Sequence, residues 1–69
     1  MLNKEEKAYC SAMIALKSED YSTASVFFRG AEKQFAGNDD FCILQHTTDL
    51  LLAVKDEISA LEEEAEKRE

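Results

Sequence analysis

The chain runs for 69 residues without a proline and with only two glycines, Gly30 and Gly37. Proline removes a helical hydrogen bond and clashes with the preceding turn, and glycine costs a helix interior about 1 kcal/mol relative to alanine. A chain so poor in both has few places at which a helix must stop. No segment alternates apolar and polar residues with the β-branched and aromatic enrichment of a strand, so no strand is predicted. The expected fold class is all-α, with a few helices joined by short turns.

The helix boundaries follow from caps and periodicity. Asn3 is a good N-cap, and Glu6 stands where it can reach back to the cap in a capping box. Ala8, Tyr9, Ala12, Met13, Ala15 and Leu16 follow at spacings of three and four, which makes one apolar stripe. Lys17 suits the negative end of the helix macrodipole, and Ser18-Glu19-Asp20 breaks the pattern. A second helix is predicted over Tyr21 to Phe35, capped by Asp20 or Ser18, with Ala24, Phe27, Phe28, Ala31 and Phe35 along one side. Gly37 is expected to end it in the left-handed conformation, and Asn38 to cap a third helix. From Asp39 onward nothing breaks the helix. At 1.5 Å per residue it would be about 40 Å long, against about 20–25 Å for each of the other two. The pairs Glu63–Lys67 and Glu64–Arg68 have the favourable orientation near its end.

The segment from Glu5 to Asn38 resembles a tetratricopeptide repeat, a helix–turn–helix unit of solenoid scaffolds. Ala8, Ala12, Ala15, Tyr21, Ala24, Phe28 and Ala31 carry the resemblance, and Asp20-Tyr21 followed by Ala24, Phe28 and Ala31 is its most specific part. The family places small residues at the Ala12 and Ala24 positions because its helices cross there at close range. It uses aromatic residues at the Tyr21 and Phe28 positions to close the turn and fill the space beneath. Ser11, Ala15 and Ala36 depart from it, standing where the family favours a large aliphatic residue, an aromatic and a proline. The resemblance implies a repeat-like antiparallel hairpin over residues 5–38, followed by a capping or oligomerisation helix over 39–67. The whole chain, 1–69, is then one tetratricopeptide-like domain, a three-helix right-handed array. Continuing the repeat into the third helix would put its core positions on Cys42, Gln45, His46 and Asp49, which are mostly polar. Its apolar residues fall elsewhere, so a rotated terminal helix is expected.

Fifteen acids against eight bases give a formal charge of −7. Such a field repels phosphate backbones and anionic lipid surfaces, so neither nucleic acid nor a membrane is an expected partner. The apolar run Leu50 to Val54, which no other run exceeds, is too short for a membrane span or a secretion signal. A cytoplasmic location is expected, with Cys10 and Cys42 as thiols.

Cys42, His46 and Asp49, with Cys10 as a conceivable fourth member, are zinc-ligand types on one helical face. No paired-ligand motif anchors them, and no metal or other cofactor is expected. Catalysis is not expected either, because no glycine-rich loop or oxyanion nest accompanies the lone histidine. The resemblance implies a peptide-binding inner face, which carries over to Tyr9, Met13, Leu16 and Lys17. Ile43, Thr47 and Leu50 extend it, unless the third helix folds over these residues as core. That helix also carries a heptad, with Leu44, Leu51, Ile58 and Ala65 in one seam position and Thr47, Val54 and Leu61 in the other. Arg68 ends the pattern. Leu51, Val54, Ile58 and Leu61 are the expected self-association residues, and the likeness of their seam to a coiled coil points to a homodimer. An antiparallel pair would set Lys55 against Glu62 twice, whereas a parallel pair would set Glu57 against Glu62. The leading expectation is a non-catalytic adaptor or scaffold that binds a protein or peptide and self-associates. The alternatives are a small chaperone subunit shielding a partner's hydrophobic helix, and a thiol- or zinc-based regulator using Cys10, Cys42 and His46.

Overall fold

Each of the three helices begins at a side-chain cap. In the computed structural model, which describes residues 1–67, α1 spans Lys4–Lys17, α2 Tyr21–Phe35 and α3 Asp39–Lys67. The Asn3 side chain accepts from the Glu6 backbone N–H at 2.8 Å, and Glu6 Oε1 accepts from the Asn3 N–H at 3.0 Å. This capping box satisfies two backbone donors that would otherwise be left open at the helix start. Asp20 accepts from the Thr23 N–H at 3.2 Å, and Asn38 from the Phe41 N–H at 2.9 Å. The pairing of Glu64 with Arg68, and the heptad's end at Arg68, lie outside the described residues.

The turn between α1 and α2 is a Schellman motif. Glu19 N–H donates to the Leu16 carbonyl at 3.0 Å and Asp20 N–H to the Ala15 carbonyl at 2.9 Å. That pattern requires a left-handed residue just past the helix end. Glu19 supplies it, with φ of 61°. Gly37, expected to do the same after α2, has no positive φ. The second turn is instead continued in right-handed conformation by Ala36, and Asn38 N–H donates to the Phe35 carbonyl at 2.9 Å. The Cys42 thiol donates to the Ala36 carbonyl at 3.3 Å, covering one of the acceptors left open at the end of α2.

α1 and α2 pack as a hairpin, and α3 lies mainly against α2. Ala12, Ala15, Ala24, Phe28, Ala31 and Phe41 form the buried cluster, with Ala8, Tyr9, Leu16, Phe35 and Leu44 packed around it. Small residues leave room for the backbones to approach, and four aromatic rings fill the space between the three helices. Tyr9 meets Phe28, Phe35 and Phe41 at centroid distances of 6.1, 5.0 and 5.4 Å, and Phe41 meets Phe28 and Phe35 at 5.7 Å each. Most of these contacts are edge-on or tilted, the arrangement favoured by ring quadrupoles. Gly30 is exposed, and a methyl group there would meet Ala8 Cβ at 3.8 Å, an ordinary contact. The glycine is therefore not needed for close helix approach.

The face that α3 turns inward is Phe41, Leu44, Gln45, Thr48 and Leu52. Thr48 is fully buried, and its hydroxyl donates to the Leu44 carbonyl at 2.7 Å, so burial leaves no orphan donor. Ser25 on α2 is buried as well, and its hydroxyl donates to Asp49 Oδ1 at 2.8 Å, tying α2 to α3. Beyond Leu52 every described residue of α3 is exposed. The molecule is consequently elongated, measuring 55 × 20 × 16 Å. Its radius of gyration is 14.8 Å, against about 11 Å for a compact chain of this length.

Candidate interaction surface on the third helix

Successive residues of an α-helix turn by about 100°, so the two apolar faces of α3 can be placed around its axis. The inward face centres on Phe41, Thr48 and Leu52. The stripe of Ile43, Thr47, Leu50, Leu51, Val54, Ile58 and Leu61 centres roughly 130° away from it. Leu44 stands between the two and closes the gap. Two hydrophobic faces on one helix require two sets of neighbours, and the hairpin supplies only one. Ile43, Leu50, Val54, Ile58 and Leu61 each leave at least half of their surface exposed, and Leu51 leaves 37%. Single exposed apolar residues are ordinary, whereas a continuous row of this length on one helix is a feature of interaction surfaces.

The residues expected to form a peptide groove are divided between core and surface. Tyr9 is half-buried, and its ring faces three phenylalanines, so its principal role is in the core. Met13, Leu16 and Lys17 line a shallow apolar concavity together with Ile14, which the sequence reading did not include. Ile43, Thr47 and Leu50 are exposed on α3. Among the residues of the tetratricopeptide pattern, Ala12, Ala15, Ala24, Phe28 and Ala31 are buried, while Ala8 and Tyr21 are partly so. Phe27, on the same expected stripe of α2, remains 37% exposed.

Cys42, His46 and Asp49 border one open polar depression between α2 and α3, with Arg29, Glu32 and Gln45 completing its rim. Asp49 accepts from Ser25 and Cys42 donates to the Ala36 carbonyl, so two of the three have structural tasks. Cys10 is exposed on α1 and does not line this depression. Among the described residues, no three His, Cys, Asp or Glu side chains gather as a metal-binding group. No helix among them is long and apolar enough to cross a membrane.

Charge is distributed as unevenly as hydrophobicity. Residues 1–38 carry five acids and five bases, whereas α3 carries nine acids against two bases, a formal −7 on one helix. Along the exposed stripe, Glu57 borders one side and Glu62 the other. Lys55, one of the two bases of α3, has its Nζ 5.9 Å from the centroid of the Tyr21 ring. It also adds to the forces holding the Asp20 carboxyl below its ordinary range, after the stronger hydrogen bonds from the Thr23 side chain and backbone. Lys55 is therefore directed at the hairpin, on the inner flank of the helix.

Comparison with protein-family models, curated proteins and solved structures finds no match to this chain.

Proposed function

We propose that this protein is a non-catalytic interaction module, in which a tetratricopeptide-like hairpin holds up a long terminal helix for a protein partner to bind. The exposed row Leu51, Val54, Ile58 and Leu61, which runs along α3 into the stretch beyond Leu52 where every described residue is exposed, is the observation that carries this reading. An isolated helix of about 15 residues is marginal in water. Contact with a second helix along the heptad would bury the row and fix the helix at the same time. The partner is a protein or peptide, which matches a surface that is apolar along its centre and polar at its rim. Self-association through the same four residues is one way of covering the stripe, and the helix of a different protein is the other.

The shallow concavity of Met13, Ile14, Leu16 and Lys17 is a smaller secondary contact area in this reading. No metal, cofactor, nucleic acid or membrane takes part. The test compares wild type with the double substitution Val54→Gln/Ile58→Gln, which removes apolar surface without adding charge and keeps good helix formers. Capture from native extract should retain a partner on the wild-type chain and lose it with the variant, and any self-association that sedimentation detects should be lost in the same way. Equal behaviour of the two proteins in both assays would refute the assignment of the stripe.

A further inference from the structure

We infer that the occupant of the α3 stripe is a basic amphipathic helix of another protein, with Lys or Arg flanking an apolar seam, and not a second copy of this chain. The inference rests on the reading of the stripe as an interface and adds the chemistry of what covers it.

Three observations carry it. The first is the shape of the apolar row, which follows a heptad from Leu44 through Leu61 and so fits the seam of a second helix. The second is the segregation of charge. A hairpin of balanced charge is joined to a helix of formal −7, so the whole imbalance of the described chain lies on the element that carries the stripe. Two copies side by side would bring both of these acidic helices together within a Debye length, about 8 Å at physiological ionic strength. A parallel pair would set Glu57 against Glu62 twice. The third is the position of Lys55, which an antiparallel pair would need opposite Glu62. The structure directs Lys55 to the Tyr21 ring and Asp20. Pairing with a second copy would therefore have to draw its one mid-helix cation away from the hairpin. A helix with basic flanks meets no such conflict: Glu57 and Glu62 both face opposite charge, and the field of the whole helix attracts the partner during approach.

Area sets the expected strength. The open parts of the six apolar side chains on the stripe amount to roughly 600 Å² on this side, so a docked helix would bury on the order of 1,200 Å² in total, at the lower edge of stable interfaces. Electrostatic attraction then decides which helices bind.

The test uses the full chain and two synthetic helices of about three heptads, both with leucine at the seam positions. One carries lysine at the flanking positions and the other glutamate. Isothermal titration should show the lysine peptide binding at least tenfold more tightly than the glutamate peptide. Its affinity should weaken several-fold as salt is raised from about 50 to 300 mM. Val54→Gln/Ile58→Gln should weaken it at least tenfold, and Glu57→Lys/Glu62→Lys should reverse the preference toward the glutamate peptide. Sedimentation equilibrium of the chain alone should return the 7.8 kDa monomer. These substitutions lie beyond the residues packed on the hairpin, so the near-UV signal of the aromatic cluster should be unchanged in each variant. A tight dimer that Val54→Gln/Ile58→Gln dissociates would overturn the basic-helix inference and leave the stripe as an interface. Lysine-peptide binding that survives Val54→Gln/Ile58→Gln unchanged would overturn both, because the contact would then be charge alone.

Discussion

Replacing Phe41 by alanine should separate the two roles of α3. Phe41 is fully buried and its ring contacts Tyr9, Phe28 and Phe35, so it is the main aromatic link between the third helix and the hairpin. Truncating a buried phenylalanine costs about 3–5 kcal/mol through lost transfer energy and the cavity left behind. The whole chain, at about 0.05–0.15 kcal/mol per residue, should have only about 3–10 kcal/mol to lose. Phe41→Ala is thus expected to remove a large part of the total stability, and in the lower half of that range to leave the protein unfolded at room temperature. Urea unfolding followed by far-UV circular dichroism measures it, with Ile58→Ala as the control on the same helix. Ile58 is half-exposed and lies beyond Leu52, where every described residue of α3 is exposed. Its truncation should change stability by no more than about 0.5 kcal/mol. A Phe41→Ala cost below about 1.5 kcal/mol, or an Ile58→Ala cost equal to it, would refute the division of α3 into a docked inner face and an open outer one.

Other substitutions probe the turns and ties. Glu19 occupies a left-handed position that only glycine adopts without steric cost, so Glu19→Gly should raise stability by about 0.5–1 kcal/mol in the same assay. Gly30→Ala should also stabilise, by about 0.5–1 kcal/mol, because its new methyl group meets Ala8 at ordinary contact distance; a loss on thermal melting would contradict the packing described. Ser25→Ala should cost about 1 kcal/mol by breaking the hydroxyl–Asp49 bond between α2 and α3, measurable by urea titration. The hydrogen bonds from the Thr23 side chain and backbone, with a smaller contribution from Lys55, hold the Asp20 carboxyl below its ordinary value. Its contribution to stability is therefore present above the unfolded value near 3.9 and lost as pH falls through the lower folded value. Asp20→Asn, which keeps a capping oxygen without the titration, should flatten the acid limb of a stability–pH curve, and an unchanged limb would count against this cap.

Much of the fold was legible because its signals are local. The Asn3–Glu6 box, Asp20 and Asn38 each act within one helical turn, and all three cap as their residue types suggest. The inner face of α3 was not legible. Its central position is Thr48, a polar residue that becomes a good core residue only because its hydroxyl bonds the Leu44 carbonyl. Phe41 stands beside Asp39 and Asp40, away from the heptad that dominates the apolar pattern. Hydrophobicity alone therefore draws attention to Leu51, Val54, Ile58 and Leu61, and only tertiary contacts show that these face away from the hairpin. Tyr9 was ambiguous for a similar reason, since it lies on the same side of α1 as the groove and within reach of three rings. The exchange of Gly37 for Glu19 as the left-handed residue follows from hydrogen bonding in the Schellman turn, and nothing in the side chain of Glu19 announces it.

Whether the outer stripe of α3 receives another helix is read residue by residue from NMR of the labelled chain during titration with the leucine–lysine peptide. The expected result is that amide and methyl signals of Leu51, Val54, Ile58 and Leu61 move together and saturate, while those of Ala12, Ala24 and Phe28 stay in place. Shifts confined to Arg29, Gln45 and His46 in the polar depression, or scattered over the acidic residues without the methyl groups, would contradict it.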